Sequence, residues 1–304
     1  MSVPQSTRKG ILLMVATTLV FTLQDALSRH LAGEYNVLMV VMVRYWFFGA
    51  FVLALAARLP GGLRAALHPR YPMLQAIRGL LLAGEVCVVV LSFVLIGLVA
   101  THAIFACCPL LVAALSGPVL GERVGWRRWT AIGIGFIGIL VILRPGVAVF
   151  SPWALVPLGA AFVFAMYALL TRYVARADTA VVSLFWTGTV GSAAMTVAGV
   201  WFWQPMAPYD WAMMAVLCCT GVLGHFLLIK AYEVAEASAV QPFAYLQLVF
   251  ATFMGVLVFD EVLTPPVVIG AVIVVAAGLF TLWRQRVVEA AKGGGSAAST
   301  PQIT

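Results

Sequence analysis

Residues 73–96 read MLQAIRGLLLAGEVCVVVLSFVLI, an apolar run in which Arg78 and Glu85 are the only charged side chains. A helix rises 1.5 Å per residue, so about 20 apolar residues cross the hydrocarbon core of a bilayer. The run is long enough to do so, and it is uniformly apolar, whereas the strands of membrane barrels alternate. It therefore predicts a transmembrane helix.

The same pattern recurs along the whole chain and predicts an all-α integral membrane protein with ten transmembrane helices. Gly- and Pro-containing turns separate the runs, as at Pro60-Gly61-Gly62 and Thr264-Pro265-Pro266. Arg8 and Lys9 precede the first run without a cleavage site behind it, which favours a retained helix over a signal peptide. The predicted spans are 10–30, 37–57, 73–96, 100–120, 126–144, 153–173, 179–202, 210–232, 237–259 and 265–284.

The composition supports this class. Of 304 residues, 63% are hydrophobic and only 10% are charged, and the mean hydropathy is +1.05. Soluble domains are about half apolar and a quarter charged. An ordinary soluble enzyme, a nucleic-acid binder and a disordered chain are therefore excluded.

The positive charges predict the orientation. With the N-terminus inside, the outer segments carry only Arg29 and Arg144, and Arg44 and Arg78 fall within spans. Because cytoplasmic loops are enriched in Lys and Arg, both termini are expected in the cytoplasm. The inner segments carry Arg8, Lys9, Arg58, Arg64, Arg70, Arg123, Arg127, Arg128, Arg172, Arg176, Lys230, Arg284, Arg286 and Lys292.

The two halves of the chain resemble each other. Residues 1–147 and 148–286 are expected to hold five helices each, followed by a disordered Gly/Ser-rich tail at 287–304. An odd number of helices inverts the second half relative to the first, which is typical of secondary transporters with a site between the repeats. The matches, in order, are ALSRHLA 26–32 with LLTRYVA 169–175, Ala100-Thr101 with Ala237-Ser238, and Gly121-Glu122 with Asp260-Glu261.

This order of helices and motifs resembles the EamA-type branch of the drug/metabolite transporter superfamily over residues 9–286. Pro109, Gly117 and Gly121-Glu122-Arg123 carry the likeness, whereas Leu248 and Asp260 depart from the family's proline and glycine. The resemblance implies a bacterial inner-membrane secondary transporter that exports aromatic or neutral amino acids and related metabolites by alternating access. The alternative is a translocator of multiple drugs, quaternary amines or lipid-linked metabolites.

Ionisable side chains inside the spans are candidates for function, because each costs several kcal/mol unless it is paired or hydrated. Asp25 and Arg44 lie at similar depth and are expected to pair, either as a static contact or as a gate with a carboxylate-binding Arg. Arg78 is a further gate or ion-pair candidate, or extends to the inner surface. Glu85 lies near mid-membrane as a protonatable coupling residue, a partner for a substrate amine, or a buried hydrogen-bonded acid.

Polar and aromatic residues within the spans predict the substrate cavity. His102 is expected at the membrane interface instead, and His225 has either a core or a cavity role. An apolar cavity with a few amides and rings suits a neutral or aromatic amphiphile. The predicted cavity residues are Gln24, Tyr45, Glu85, Tyr167, Trp186, His225, Tyr245 and Gln247.

No catalytic or metal chemistry is predicted. The sequence contains no G-x-S-x-G, H-E-x-x-H or nucleotide-binding loop. Its five cysteines form no C-x-x-C pair, and no His or carboxylate stands at metal-ligand spacing. We therefore expect no enzyme activity, cofactor, metal or nucleic acid. The expected partners are a small-molecule substrate, the lipid bilayer and, as a further candidate, protons, for a monomer or weak dimer.

Overall fold

The computed structural model of the protein describes residues 7–58, 62–121, 125–143, 152–235 and 240–296. These residues are helical nearly throughout, with no strand among them, and short 3-10 turns at Pro152–Ala154, Val200–Phe202 and Gln241–Tyr245. The α-helices are α1 (Thr7–Glu34), α2 (Val37–Ala57), α3 (Gly62–Ala66), α4 (Pro72–Phe105), α5 (Cys108–Leu120), α6 (Trp126–Leu143), α7 (Leu155–Val174), α8 (Ala180–Gly199), α9 (Pro208–Val234), α10 (Leu246–Phe259) and α11 (Pro265–Ser296).

The helices confirm a multi-span membrane fold. Within the described residues, seven helices are long and apolar enough to cross a membrane. Three shorter apolar helices, Cys108–Leu120, Trp129–Leu143 and Phe243–Phe259, complete the ten predicted segments. Large apolar side chains cover the outside, such as Trp201 at 83% and Leu257 at 74% exposure. Lipid rather than water is the solvent that such a surface requires.

The two halves pack chiefly against each other. The four most extensive helix pairings join α1 to α9, α6 to α11, α4 to α7 and α2 to α8, and each crosses from one half to the other. At the α6–α11 crossing, a Cβ on Gly138 would lie 2.8 Å from the Gly270 carbonyl oxygen. Small residues thus let these backbones meet, as is common where helices associate in lipid.

Equivalent turns of the two halves lie at opposite ends of the molecule. Tyr35, between α1 and α2, accepts the Ala207 N–H at 3.0 Å, and Asp178, between α7 and α8, accepts the Arg70 N–H at 2.6 Å. The spacing from Tyr35 to Asp178 equals that from residue 26 to 169, so the two contacts correspond under the repeat. Asp178 binds the residues at the start of α4, whereas Arg29, near the end of α1, shares Glu261 with the Leu98 N–H of α4. Residues 72 and 98 are about 39 Å apart along a helix, as the predicted inversion of the repeats requires.

The helices α5 and α10, each followed by the last helix of its half, end in the same backbone conformation. Gly121 follows α5 with φ 74°, and Asp260 follows α10 with φ 53°, both in the left-handed region. Glycine adopts this region freely and aspartate tolerates it, so Asp260 caps α10 as Gly121 caps α5. The sequence match of Gly121 with Asp260 therefore corresponds to a shared structural role.

Several boundaries differ from the predictions. The span predicted at 100–120 is divided, because α4 continues to Phe105 beyond a break at Gly97, and α5 begins only at Cys108. α11 continues to Ser296, so the segment from 287, predicted as a disordered tail, is helical as far as the structure describes it. The predictions that involve Glu122, Arg123, Arg144, Ala237, Ser238 and residues 297–304 lie outside the described residues.

Candidate functional site: a cavity between the two halves

A cavity of about 470 Å³ lies between the two halves. The first half contributes lining residues from α1, α2, α4 and α5, and the second half from α7, α9, the 241–245 turn, α10 and α11. Small-molecule sites usually have volumes of about 300–1,000 Å³ with mainly apolar walls and a few polar groups. The position and size of the cavity are therefore those of a substrate site in a two-repeat carrier.

The structure brings most of the predicted site residues together. Of the eleven, Tyr167, Trp186 and Arg78 do not line the cavity. The predicted residues that do line it are Gln24, Asp25, Arg44, Tyr45, Glu85, His225, Tyr245 and Gln247.

Asp25 has partners other than the one expected. Its Oδ2 lies 3.2 Å from His102 Nε2 and accepts a hydrogen bond of 3.0 Å from Gln247 Nε2. The expected pair with Arg44 is absent from the ion pairs within 4.0 Å that the described residues make. The reason is the break at Gly97, which lets the end of α4 carry His102 into the cavity rather than to the membrane interface.

Arg44 and Glu85 place a cation and an acid in the same cavity. Glu85 is only 4% exposed. Arg44 lies beside Gly221, where an added Cβ would be 3.9 Å from Arg44 Nε and 3.2 Å from Gln24 Oε1. The absence of a side chain at Gly221 thus leaves space next to the guanidinium. Within the described part of the chain, the Arg44 side chain donates no hydrogen bond that would occupy it.

Among the described residues, three buried polar atoms around the cavity lack a well-aligned hydrogen-bond partner. They are Gln24 Oε1, His102 Nε2 and Tyr245 Oη. His102 Nε2 is at ion-pair distance from Asp25, but the alignment is not that of a hydrogen bond. Buried polar atoms are nearly always satisfied, so these atoms have spare hydrogen-bonding capacity beside the cavity.

Aromatic rings form much of the apolar wall. Phe93 stacks on His102 with 5.4 Å between ring centroids, and Phe21 meets His225 edge-on at 5.3 Å. Phe48 packs against Tyr45 at 6.2 Å. The sequence prediction omitted these phenylalanines, because a lone Phe in an apolar run is indistinguishable from one that faces lipid.

The three predicted residues outside the cavity have structural partners. The Trp186 indole N–H donates to the Ala66 carbonyl at 3.0 Å. Arg78 is 1% exposed, so it does not extend to the membrane surface. Its Nε donates to Thr171 Oγ1 at 2.9 Å, another N–H donates to Gln75 Oε1, and its guanidinium lies 5.2 Å from the Tyr167 ring centre. These contacts join α4 to α7.

The acidic and histidine side chains do not form a metal centre in the part of the chain that the structure describes. No group there contains three or more His, Cys, Asp or Glu side chains placed to hold an ion. The polar groups of the cavity are instead arranged as isolated charges and amides among rings.

Known proteins provide an independent comparison. The sequence model of the EamA-like transporter family matches residues 8–144 and again residues 151–283. A solved crystal structure is similar with a TM-score of 0.60 and 18% identity, over 91% of this chain and 98% of its own. That likeness concerns the fold alone.

Three named relatives are transporters. An S-adenosylmethionine uptake transporter of Rickettsia prowazekii (strain Madrid E) is 26% identical over 91% of this chain and 93% of its own length. A riboflavin transporter of Vibrio cholerae is 34% identical over 59% of this chain and 60% of its own. A pseudopaline exporter of Pseudomonas aeruginosa is 23% identical over 89% and 94%. With both of its halves matched by the family, this chain belongs to the EamA-like transporter family.

Proposed function

We propose that this protein is a secondary carrier of zwitterionic amino-acid derivatives that bear an aromatic or heteroaromatic group. The observation that carries the proposal is the combination of Arg44, Asp25 and Glu85 in one cavity with aromatic walls. A cation and two acids among rings match a molecule that has both charges and a flat apolar part. A cavity for a neutral solute needs none of these charges, which are costly at this depth.

Each part of such a substrate has a matching group. The substrate carboxylate meets Arg44, whose planar fork suits bidentate binding. An ammonium or sulfonium meets Asp25 and the unpartnered Gln24 Oε1. The aromatic part packs against Phe21, Phe48 and Phe93. S-adenosylmethionine, named for the Rickettsia relative, has all three parts, and the aromatic amino acids have two charges and a ring.

Riboflavin is the second candidate, because the Vibrio relative is more similar to this chain over the part that it matches. Riboflavin has no charge at neutral pH and would use the amides of Gln24 and Gln247 with the same rings. Quaternary amines would suit the two acids but would leave the Arg44 guanidinium without a counterpart. The three substrate classes therefore differ in whether they supply an anionic partner for Arg44, and only the zwitterions do.

The carrier mechanism follows from the arrangement of the halves. We infer that residues 1–147 and 148–286 move against each other and open the cavity to one face at a time. The Lys and Arg distribution supports an orientation with both termini in the cytoplasm of a bacterial inner membrane. The names of the relatives include both uptake and export. A carrier driven by its substrate gradient alone moves the substrate in either direction, so export of amino acids is one mode of use.

Protons are a proposed second ligand of the same cavity. Asp25 faces His102 and Gln247. The other titratable or charged groups of the lining are Glu85, Arg44, Tyr45, Cys108, Cys218, His225 and Tyr245. Replacement of either acid by its amide removes a proton site without a change of shape. If protons are transported, Asp25→Asn or Glu85→Gln abolishes the acceleration of uptake by an imposed pH gradient.

The test of the function uses purified protein in liposomes. Labelled S-adenosylmethionine, tryptophan and riboflavin are offered separately to the wild type and to Arg44→Gln, Asp25→Asn and Arg58→Gln. Loss of a charged hydrogen bond weakens binding roughly tenfold or more. We expect saturable uptake of a zwitterion, with KM raised by about that factor in Arg44→Gln and in Asp25→Asn.

Arg58→Gln is the matched control, because it removes an arginine whose side chain is exposed and outside the cavity. It should transport like the wild type. Uptake of riboflavin alone, or zwitterion uptake that is the same in Arg44→Gln and the wild type, would show that the substrate proposal is wrong.

A further inference from the structure

One carboxylate joins three segments at one end of the cavity. Glu261, between α10 and α11, accepts the Leu98 N–H at 2.7 Å and the Val99 N–H at 2.8 Å. It also forms an ion pair with Arg29 of α1. We refer to Arg29, Gly97, Leu98, Val99, Phe259 and Glu261 as the Glu261 cluster.

The cluster exists because α4 is broken. Gly97 has φ 85°, a conformation that L side chains rarely adopt, and it interrupts the helix before Leu98. The segment that follows therefore begins with N–H groups that have no helical partner, and such groups attract a carboxylate. An added Cβ at Gly97 would lie 2.6 Å from Glu261 Oε1. Glycine thus allows both the break and the approach of Glu261.

The contacts of Glu261 cross the boundary between the halves. Arg29, Leu98 and Val99 belong to the first half, and Glu261 belongs to the second. Arg29 is also shared, since its guanidinium lies 4.0 Å from the ring centre of Phe259 in α10. Arg29 stands one turn beyond Asp25 on α1, and His102 stands one turn beyond Leu98 on α4. The cluster therefore lies next to the Asp25–His102 contact, one helical turn from these two lining residues of the cavity.

We propose that Glu261 is a latch: its contacts with Arg29 and with the N–H groups after Gly97 hold this end of the cavity shut and break together when the carrier opens there. This inference rests on the proposed carrier function. All three contacts of the carboxylate are made to the same half, so one movement of the second half releases them together. The Arg29 and Glu261 side chains are 19% and 12% exposed, so water can reach the groups as they separate.

The first test measures access to the cavity. Cys218, which lines the cavity, is kept as the only cysteine, with Cys87, Cys107, Cys108 and Cys219 replaced by serine. A membrane-impermeant maleimide is added to one face of the membrane at a time. Loss of a charged hydrogen bond shifts an equilibrium roughly tenfold, so Glu261→Gln should be labelled about that much faster from the Glu261 face.

The same variant should be labelled no faster from the opposite face. Arg29→Gln, which leaves the helix cap in place, should shift labelling in the same direction, and Arg29→Lys should restore it in part. Equal labelling of Glu261→Gln and the parent protein from both faces would overturn the proposal. Labelling needs no substrate, so this test can fail while the substrate proposal stands, and the reverse also holds.

The second test locks the contact. The substitutions Arg29→Cys and Glu261→Cys are made together in a background in which all five native cysteines, including Cys218, are replaced by serine. The two new thiols are joined by a short cross-linker that a reductant cleaves. A latch predicts that cross-linking abolishes turnover and that cleavage restores it, whereas each single-cysteine variant treated alike keeps its rate. If the cross-linked protein transports at the rate of the uncross-linked protein, the contact is static and the proposal is wrong.

Discussion

Tyr35 and Asp178 occupy equivalent turns in the two halves, but they hold their ends of the molecule by different chemistry. The Tyr35 hydroxyl accepts the Ala207 N–H and donates to Asp210 at 2.6 Å. The Asp178 carboxylate accepts the Arg70 N–H and the Gln75 amide, the latter at 2.9 Å. Each turn thus binds the residues that begin the long helix of the other half, α9 in one case and α4 in the other.

The surroundings of the two contacts differ more than the contacts themselves. Gln75 is fully buried and also donates to Ser183 Oγ, and it accepts a hydrogen bond from the buried Arg78. Among the residues that the structure describes, Asp210 has one further ion-pair partner, His30, at 3.8 Å. In both halves the turn after the first helix contacts the other half at an equivalent position. The burial of the surrounding groups determines how much each contact contributes to stability. We therefore expect the Asp178 end to be the more firmly held end in this conformation.

Replacement of Asp178 should have the largest effect on stability. Asp178→Ala leaves the Arg70 N–H without its acceptor and the buried Gln75 amide with one acceptor fewer. Unsatisfied buried polar groups of this kind cost about 3 kcal/mol together. The expected result is a marked fall in apparent melting temperature, measured in detergent at a fixed scan rate. Asp178→Asn, which keeps one acceptor oxygen, should lose less.

Tyr35→Phe tests the other end and should cost less than Asp178→Ala, because the two hydrogen bonds that it removes are accessible to water. A fall in melting temperature equal to that of Asp178→Ala would contradict the proposed difference between the two ends. Arg58→Gln, an exposed change outside both contacts, sets the reference for each.

The Tyr35 contact also has a predicted pH dependence. The hydrogen bond to Asp210 raises the pKa of the Tyr35 phenol above its usual value of 10.0. A group whose pKa is raised by folding contributes its stability below the unfolded pKa and loses it as the pH rises through the folded pKa. The difference in melting temperature between wild type and Tyr35→Phe should therefore hold from pH 7 to about pH 10 and shrink above it. A difference that disappears below pH 9 would contradict this assignment.

Asp260→Gly should give the smallest effect, and in the opposite direction. Asp260 is the non-glycine residue with positive φ in the described part of the chain, and its counterpart Gly121 shows which residue suits this position. Removal of the side chain relieves the left-handed strain, for a gain of about 0.5 kcal/mol or less after the entropy cost of glycine. Gly121→Ala should lower the melting temperature instead. A loss of stability in Asp260→Gly would show that the aspartate has a role beyond the cap.

The sequence predicted the features that repeat along it and missed those that depend on one backbone break. Hydropathy alone separates ten apolar segments, since each has to cross the same thickness of hydrocarbon. Conserved spacing between the halves identified the turn positions 121 and 260 before their backbone angles were known. The ionisable groups Asp25, Arg44 and Glu85 were found because charge in an apolar span is rare.

The failures have a common physical cause. Gly97 lies in an apolar run, where glycine usually allows close helix packing, so the neighbouring sequence does not predict a break in the helix. That break places His102 beside Asp25 instead of at the membrane interface. Trp186 and Tyr167 were assigned to the cavity because they are polar aromatics within spans. Which face of a helix meets a cavity depends on the packing of all the helices, and a uniformly apolar helix has no polar face to reveal it.

Counterflow in proteoliposomes tests the central claim, that one cavity is opened alternately by two inverted halves. Vesicles are loaded with an excess of unlabelled S-adenosylmethionine or tryptophan, and entry of the labelled compound is followed. A carrier predicts saturable entry that transiently overshoots equilibrium when unlabelled substrate is inside. The overshoot arises because the internal unlabelled substrate competes with the labelled compound for exit through the same cavity. Entry that rises linearly with concentration and is indifferent to internal substrate would contradict the carrier mechanism.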